Sequence, residues 1–167
     1  MADGSLLDRL RAQRERQLQR KTLTLRVPGW GEAPDAPSVY ARYRPIPWED
    51  MAALVLAGDD PQAALGANCD ALIAACDAIL VEDADDGEPR SLAAILREQG
   101  EDVPGEVRFD EVACDVLAIE ASSARETVLG VFSGAVSPEV AIAEHAARIG
   151  TWMRGTTQEV DEALLGE

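Results

Sequence analysis

A mainly α fold is what this sequence predicts: a compact multi-helix domain with a small N-terminal β-hairpin or ribbon, preceded by a polar N-terminal helix. Three observations carry the prediction. Apolar residues make up 47% of the 167 but aromatics only 4%, so the core must come from close-packed, alanine-rich helices. Residues 61–80 place Leu65, Cys69, Leu72, Ile73, Cys76 and Ile79 at the i, i+3, i+4, i+7 spacing of one helix face. Residues 22–27 and 38–44 instead alternate polar and apolar side chains, the period of a strand.

Taken in order, residues 3–20 read as a polar helix that Asp3 or Ser5 can cap. Its apolar stripe, Leu6, Leu7, Leu10 and Leu18, is too sparse to hold it firmly on a core, which suits a segment that folds on a partner. Residues 22–27 form a first strand, ended by Pro28-Gly29, and 38–44 a second, across a loop rich in Pro and Gly. Two strands alone are marginal in water, so the ribbon must pack on the helical body or join another chain's sheet. Pro47, Glu49 and Asp50 suit the first turn of a helix to about Ala57. Gly58-Asp59-Asp60-Pro61 then stops that helix and restarts another over 61–80.

Beyond an acidic loop at 82–88, Ser91–Arg97 reads as a short helix, and Val107-Arg108-Phe109 as an extended piece. Asp110 caps a helix over 111–118. Ser122, Ser123 and Glu126 form a capping box for a helix to about Phe132. Ser137-Pro138-Glu139 opens a last long helix to about Met153, with Val140, Ala143, Ala147, Ile149 and Trp152 toward the interior. The organisation is thus a basic arm over 1–21, one mostly helical domain over 22–154, and a loose tail over 155–167.

Charge is also unevenly divided along the chain. Residues 1–50 hold nine Lys/Arg against seven Asp/Glu, and residues 51–167 hold six against twenty-four, within a net charge of −16. So acidic a body argues against general affinity for nucleic acid or anionic membrane and suits a basic partner. No apolar run reaches the ~20 residues that span a bilayer, and no apolar segment follows the basic N-terminus as a secretory signal requires. Cys69, Cys76 and Cys114 read as reduced, buried thiols, the first two on one helix face.

Residues that carry chemistry are few. His145 is the only histidine, which removes most nucleophile–base pairs and His-ligated metal sites. Among alanines in a helix it reads as a packed or surface helical residue, not a catalytic base. The loop at 82–88 fails the EF-hand pattern, with Ala84 and Ala93 where ligands belong. No catalytic group, cofactor site or metal site is expected. The residues suited to meeting a partner are Arg9, Arg16 and Arg20, which share a helix face, and the aromatic and Met side chains Tyr40, Tyr43, Trp48, Trp152 and Met153, each of which fits a core plug as well.

Several stretches together resemble a tail assembly chaperone of long-tailed phages that infect actinobacteria. They are Val39-Tyr40-Ala41-Arg42-Tyr43-Arg44-Pro45-Ile46-Pro47-Trp48, Cys69-Asp70-Ala71-Leu72-Ile73-Ala74-Ala75-Cys76, Val107-Arg108-Phe109-Asp110, Ala124-Arg125-Glu126-Thr127-Val128-Leu129, and His145 through Trp152-Met153. These are packing signatures, not catalytic ones. The resemblance implies a non-enzymatic protein of the host cytoplasm, absent from the mature virion. It would coat and solubilise the tape measure protein, self-associate along it, and leave as tail tube subunits assemble. A longer frameshifted product often accompanies such chaperones. Two other classes stay open at this point: a structural or connector component of the virion, using the 22–44 ribbon, and a nucleic-acid-binding regulator, using the basic arm.

Overall fold

The computed structural model describes residues 4–46, 60–83 and 87–165, without the side chains of 18–20 and 156–165. The expected helix over 47–57, Trp48, and the centre of the acidic loop lie outside these residues. Among the described residues, six helices hold about half the chain, beside an antiparallel sheet of four strands. The mainly α expectation is therefore right for the helices, but the sheet is larger than the predicted ribbon.

Helix α1 (Leu6–Arg20) is followed by β1 (Leu23–Arg26) and β2 (Ser38–Tyr43). Ser5 is its cap: the Asp8 amide donates to Ser5 Oγ and the Ser5 amide to the Asp8 carboxylate, 3.2 Å each. Residues 4–17 are exposed throughout. β1 and β2 pair with Leu23 opposite Tyr43 and Leu25 opposite Ala41. Leu25, Val27, Val39, Ala41 and Tyr43 are buried on one side of this pair.

Helix α2 (Pro61–Ala75) starts as its sequence indicates, with Asp60 accepting from the Gln62 amide and Pro61 in the first turn. It does not run on to residue 80. Residues Cys76–Glu82 form β3, which pairs with β2, Tyr40 opposite Leu80 and Ala41 opposite Ile79. A continuing helix would bond the Ile79 amide to the Ala75 carbonyl. Instead Ala75 O accepts from the Arg44 amide and Ile79 N donates to Val107 O, 2.8 Å each. Tertiary partners thus take both ends of the helical bond. Cys76 is accordingly a strand residue and does not share a helix face with Cys69.

β4 (Arg90–Ser91) completes the sheet in the order β1-β2-β3-β4. Helices α3 (Leu92–Glu98), α4 (Glu111–Leu117) and α5 (Ala124–Val131) follow, and the side chains of Ser91, Asp110 and Ser123 each accept from the amide three residues on. Glu126 reaches back to the Ser122 amide at 2.6 Å. The 107–109 piece lies along β3 through Val107 O without forming a ladder of its own.

The last helix, α6 (Pro138–Leu165), continues through residues read as a loose tail. Its buried face is Ala141, Ile142, His145 and Ile149. Val140 and Ala147, expected inside, are exposed. The two isoleucines lie seven residues apart with His145 between them, and burying these bulky groups together rotates the helix away from the alanine face. α2 packs against α5 and α6, and one apolar cluster joins these helices to the sheet.

Candidate partner-binding surfaces

The most constrained polar group is His145. Its Nδ1 lies 2.8 Å from the Tyr43 hydroxyl and its Nε2 2.9 Å from the Arg26 carbonyl oxygen. A carbonyl only accepts, so Nε2 carries the proton and Nδ1 accepts from Tyr43 O–H. The ring also meets the edges of Tyr43 and Phe132, with centroids 5.7 and 4.9 Å away. Burial lowers the imidazole pKa to about 4 and raises the Tyr43 phenol well above its ordinary value. His145 is therefore a neutral cross-brace from α6 to β1 and β2, with both nitrogens committed. Of the two positions open to it in the sequence, packed or surface, the structure gives the packed one.

A second brace joins the loop after β1 to α5. Trp30 Nε1 donates to the Val131 carbonyl at 2.9 Å, satisfying an end-of-helix acceptor. Arg26 holds the loop by donating to Trp30 O. Gly29, at φ +92°, lies so close to Gly134 that a Cβ would fall 2.4 Å from its carbonyl carbon. No local signal in the sequence singled out Trp30, because its partner is about a hundred residues away.

The residues expected to meet a partner scatter. Arg9 and Arg16 are exposed on α1, and the side chain of Arg20 is outside the described set. Tyr43 is fully buried, so it belongs to the core. Tyr40 is half-buried and donates to the Glu82 carboxylate at 2.7 Å, a bond that raises its pKa. Beside it Arg42 Nε donates to Asp77 at 2.8 Å, so this side of the ribbon is cross-linked by polar pairs. Trp152 and Met153 are half-buried, and Met153 packs on the core cluster.

The thiols divide similarly. Cys69 and Cys76 are buried, and desolvation pushes Cys76 up to about 12. Cys114, expected to be buried, is only partly so. It lies 3.2 Å from the Thr127 hydroxyl in a cleft of about 730 Å³ between α4, the turn after it and the start of α5. Phe109 and Ile119 give this cleft apolar walls, and Asp110, Glu111, Asp115 and Glu120 stand around it. No lysine or arginine lines it. Among the described residues, no group of His, Cys, Asp and Glu is placed to hold a metal ion, and no helix is long and apolar enough to cross a membrane.

Compared with protein-family models, with curated proteins and with solved structures, the chain shows no significant match to any.

Proposed function

We propose that this protein is a tail assembly chaperone of the long-tailed phage type, binding the tape measure protein in the host cytoplasm and keeping it soluble while the tail is built. The observation that carries the reading is the set of apolar side chains left outside a strongly acidic body. Val112 and Val116 form an exposed pair one turn apart on α4, and Val136 and Val140 another where α6 begins. An unassembled helical filament exposes apolar stripes. Small apolar contacts of this kind hold such a client reversibly, while a net charge of −16 keeps the complex dispersed. Many copies along one filament turn weak contacts into firm retention.

A non-enzymatic role agrees with the commitment of both His145 nitrogens to internal hydrogen bonds. The test is co-expression of the tape measure protein with and without this chain. The wild-type chain should move the client from the pellet to the supernatant, and Val116→Asp combined with Val140→Asp should reduce that rescue. A wild-type chain that neither binds nor solubilises the tape measure overturns the proposal. Recovery of the protein in purified particles would favour a virion component instead.

A further inference from the structure

We propose that helix α1 of one copy docks into the acidic cleft between α4 and α5 of a second copy, joining chains head to tail. The inference goes beyond client binding and holds whether or not the client is a tape measure protein.

The first half of the argument is the arm. Leu6, Leu7 and Leu10 are 63%, 61% and 51% exposed on a helix whose described side chains are all exposed. At about 100° per residue these three leucines occupy one sector of the helix. Arg14 falls within that sector, Arg11 borders it on one side and Arg9 on the other. Asp8 falls on the far side, and Glu15 and Arg16 stand about 80° beyond opposite edges of the sector. Asp8 is held within the arm, accepting from the Ser5 amide at 3.2 Å and facing Arg11 at 3.5 Å. α1 therefore presents a leucine strip with Arg14 in it and Arg9 and Arg11 at its edges, while Asp8 is turned away.

The second half is the cleft, which shows the inverse pattern. Its walls include Phe109 and Ile119, and exposed Glu111, Asp115 and Glu120 stand around it without a cation. None of these three carboxylates makes an ion pair among the described residues. Asp110 is already used, accepting from the Arg108 and Ala113 amides. At about 730 Å³ the cleft falls within the ~300–1,000 Å³ range of sites that enclose a ligand. It has room for leucine side chains while the arginines meet the surrounding acids.

The donor and acceptor surfaces are different patches of one chain. The contact is therefore heterologous and propagates into a string of copies, as a protein coating a filament requires.

The full-length chain should self-associate in sedimentation equilibrium at low salt, and the association should weaken about tenfold as salt screens the flanking ion pairs. Arg9→Glu with Arg14→Glu should abolish it, and so should Asp115→Arg with Glu120→Arg. All four positions are exposed, so circular dichroism should show both variants folded. Mixing the two variants should restore association, because each reversed surface then meets its complement. Leu10→Cys, under mild oxidation, should form a disulfide with Cys114 of another copy and give a ladder of oligomers that Cys114→Ser removes. The proposal is overturned by a chain that stays monomeric from micromolar to millimolar concentration, by association that survives both reversals, or by a bond between positions 10 and 114 of the same molecule.

Discussion

Lowering the pH should remove a defined share of the stability, and His145 supplies it. In the unfolded chain an imidazole titrates near 6.5. In the fold, burial against Tyr43 and Phe132 holds His145 at about 4, with the nearby Arg148 charge acting in the same direction and the Arg26 carbonyl opposing them. The folded pKa is depressed, so the stability is fully present above pH 6.5 and is lost as pH falls toward 4. Between those values the unfolded chain takes up a proton that the fold excludes. At 1.36 kcal/mol per unit, the whole difference amounts to about 3 kcal/mol, and about 2 kcal/mol is already lost at pH 5.

The sequence pI of 4.3 makes pH 5 a sensible lower limit, since colloidal stability falls as the net charge vanishes. The assay is urea unfolding of the wild type and of His145→Gln at several pH values from 7.5 to 5. Glutamine keeps a donor and an acceptor but does not titrate, and the carboxylates titrate alike in both proteins, so they cancel in the difference. The stability advantage of wild type over His145→Gln should shrink by about 2 kcal/mol across that range. A difference constant to within about 0.5 kcal/mol would refute the buried, neutral brace.

The other predictions concern single contacts. Trp30→Phe keeps the ring but removes the bond to Val131 O, and should cost about 1–2 kcal/mol in urea unfolding. Gly29→Ala sets a Cβ against the Gly134 backbone at positive φ, and should cost about 2 kcal/mol or more. Ala118 closes α4 at φ 55°, so Ala118→Gly should leave stability unchanged or raise it by up to about 1 kcal/mol, read as an increase in Tm. A thiol reagent near pH 8 should modify Cys114 first in the folded protein and reach Cys69 and Cys76 only on unfolding, because burial raises both of their pKa values.

Helix starts were legible because a cap is a local event. Asp60, Ser91, Asp110 and Ser123 each accept from an amide two or three residues on, so the signal and its partner lie in one short window. β3 was not legible for the opposite reason. Cys76 and Ile79 satisfy the helical period begun at Leu65, yet residues 76–82 also fit a strand. The choice is made by Arg44 and Val107, which lie far from the segment in sequence. The same separation hid the two braces, since Tyr43 and His145 are 102 residues apart and Trp30 and Val131 are 101 apart. On the partner surface the exposed arm was legible from its thin leucine stripe. The cleft was not, because it exists only where the turn after α4 folds back toward α5.

The sheet edge separates two of the functional classes. A virion component that adds strands to a neighbour through the 22–44 ribbon would need the outer edge of β1, since β2 is paired on both sides. Val27 N donates to Val39 O, and antiparallel bonding alternates, so Leu25 and Leu23 bond inward while Thr24 and Arg26 turn their backbone groups outward. One of those outward groups, Arg26 O, is already held by His145 at 2.9 Å. An incoming strand must displace the imidazole from it. Moving the ring would also leave the Tyr43 hydroxyl without its acceptor in the core, a loss of about 1–3 kcal/mol before any new bond forms. The edge is thus guarded by a core interaction, while α1 presents its leucines with nothing to displace. Association through the arm costs the fold less than association through the sheet, and this favours a protein that holds its neighbours reversibly over one built permanently into them.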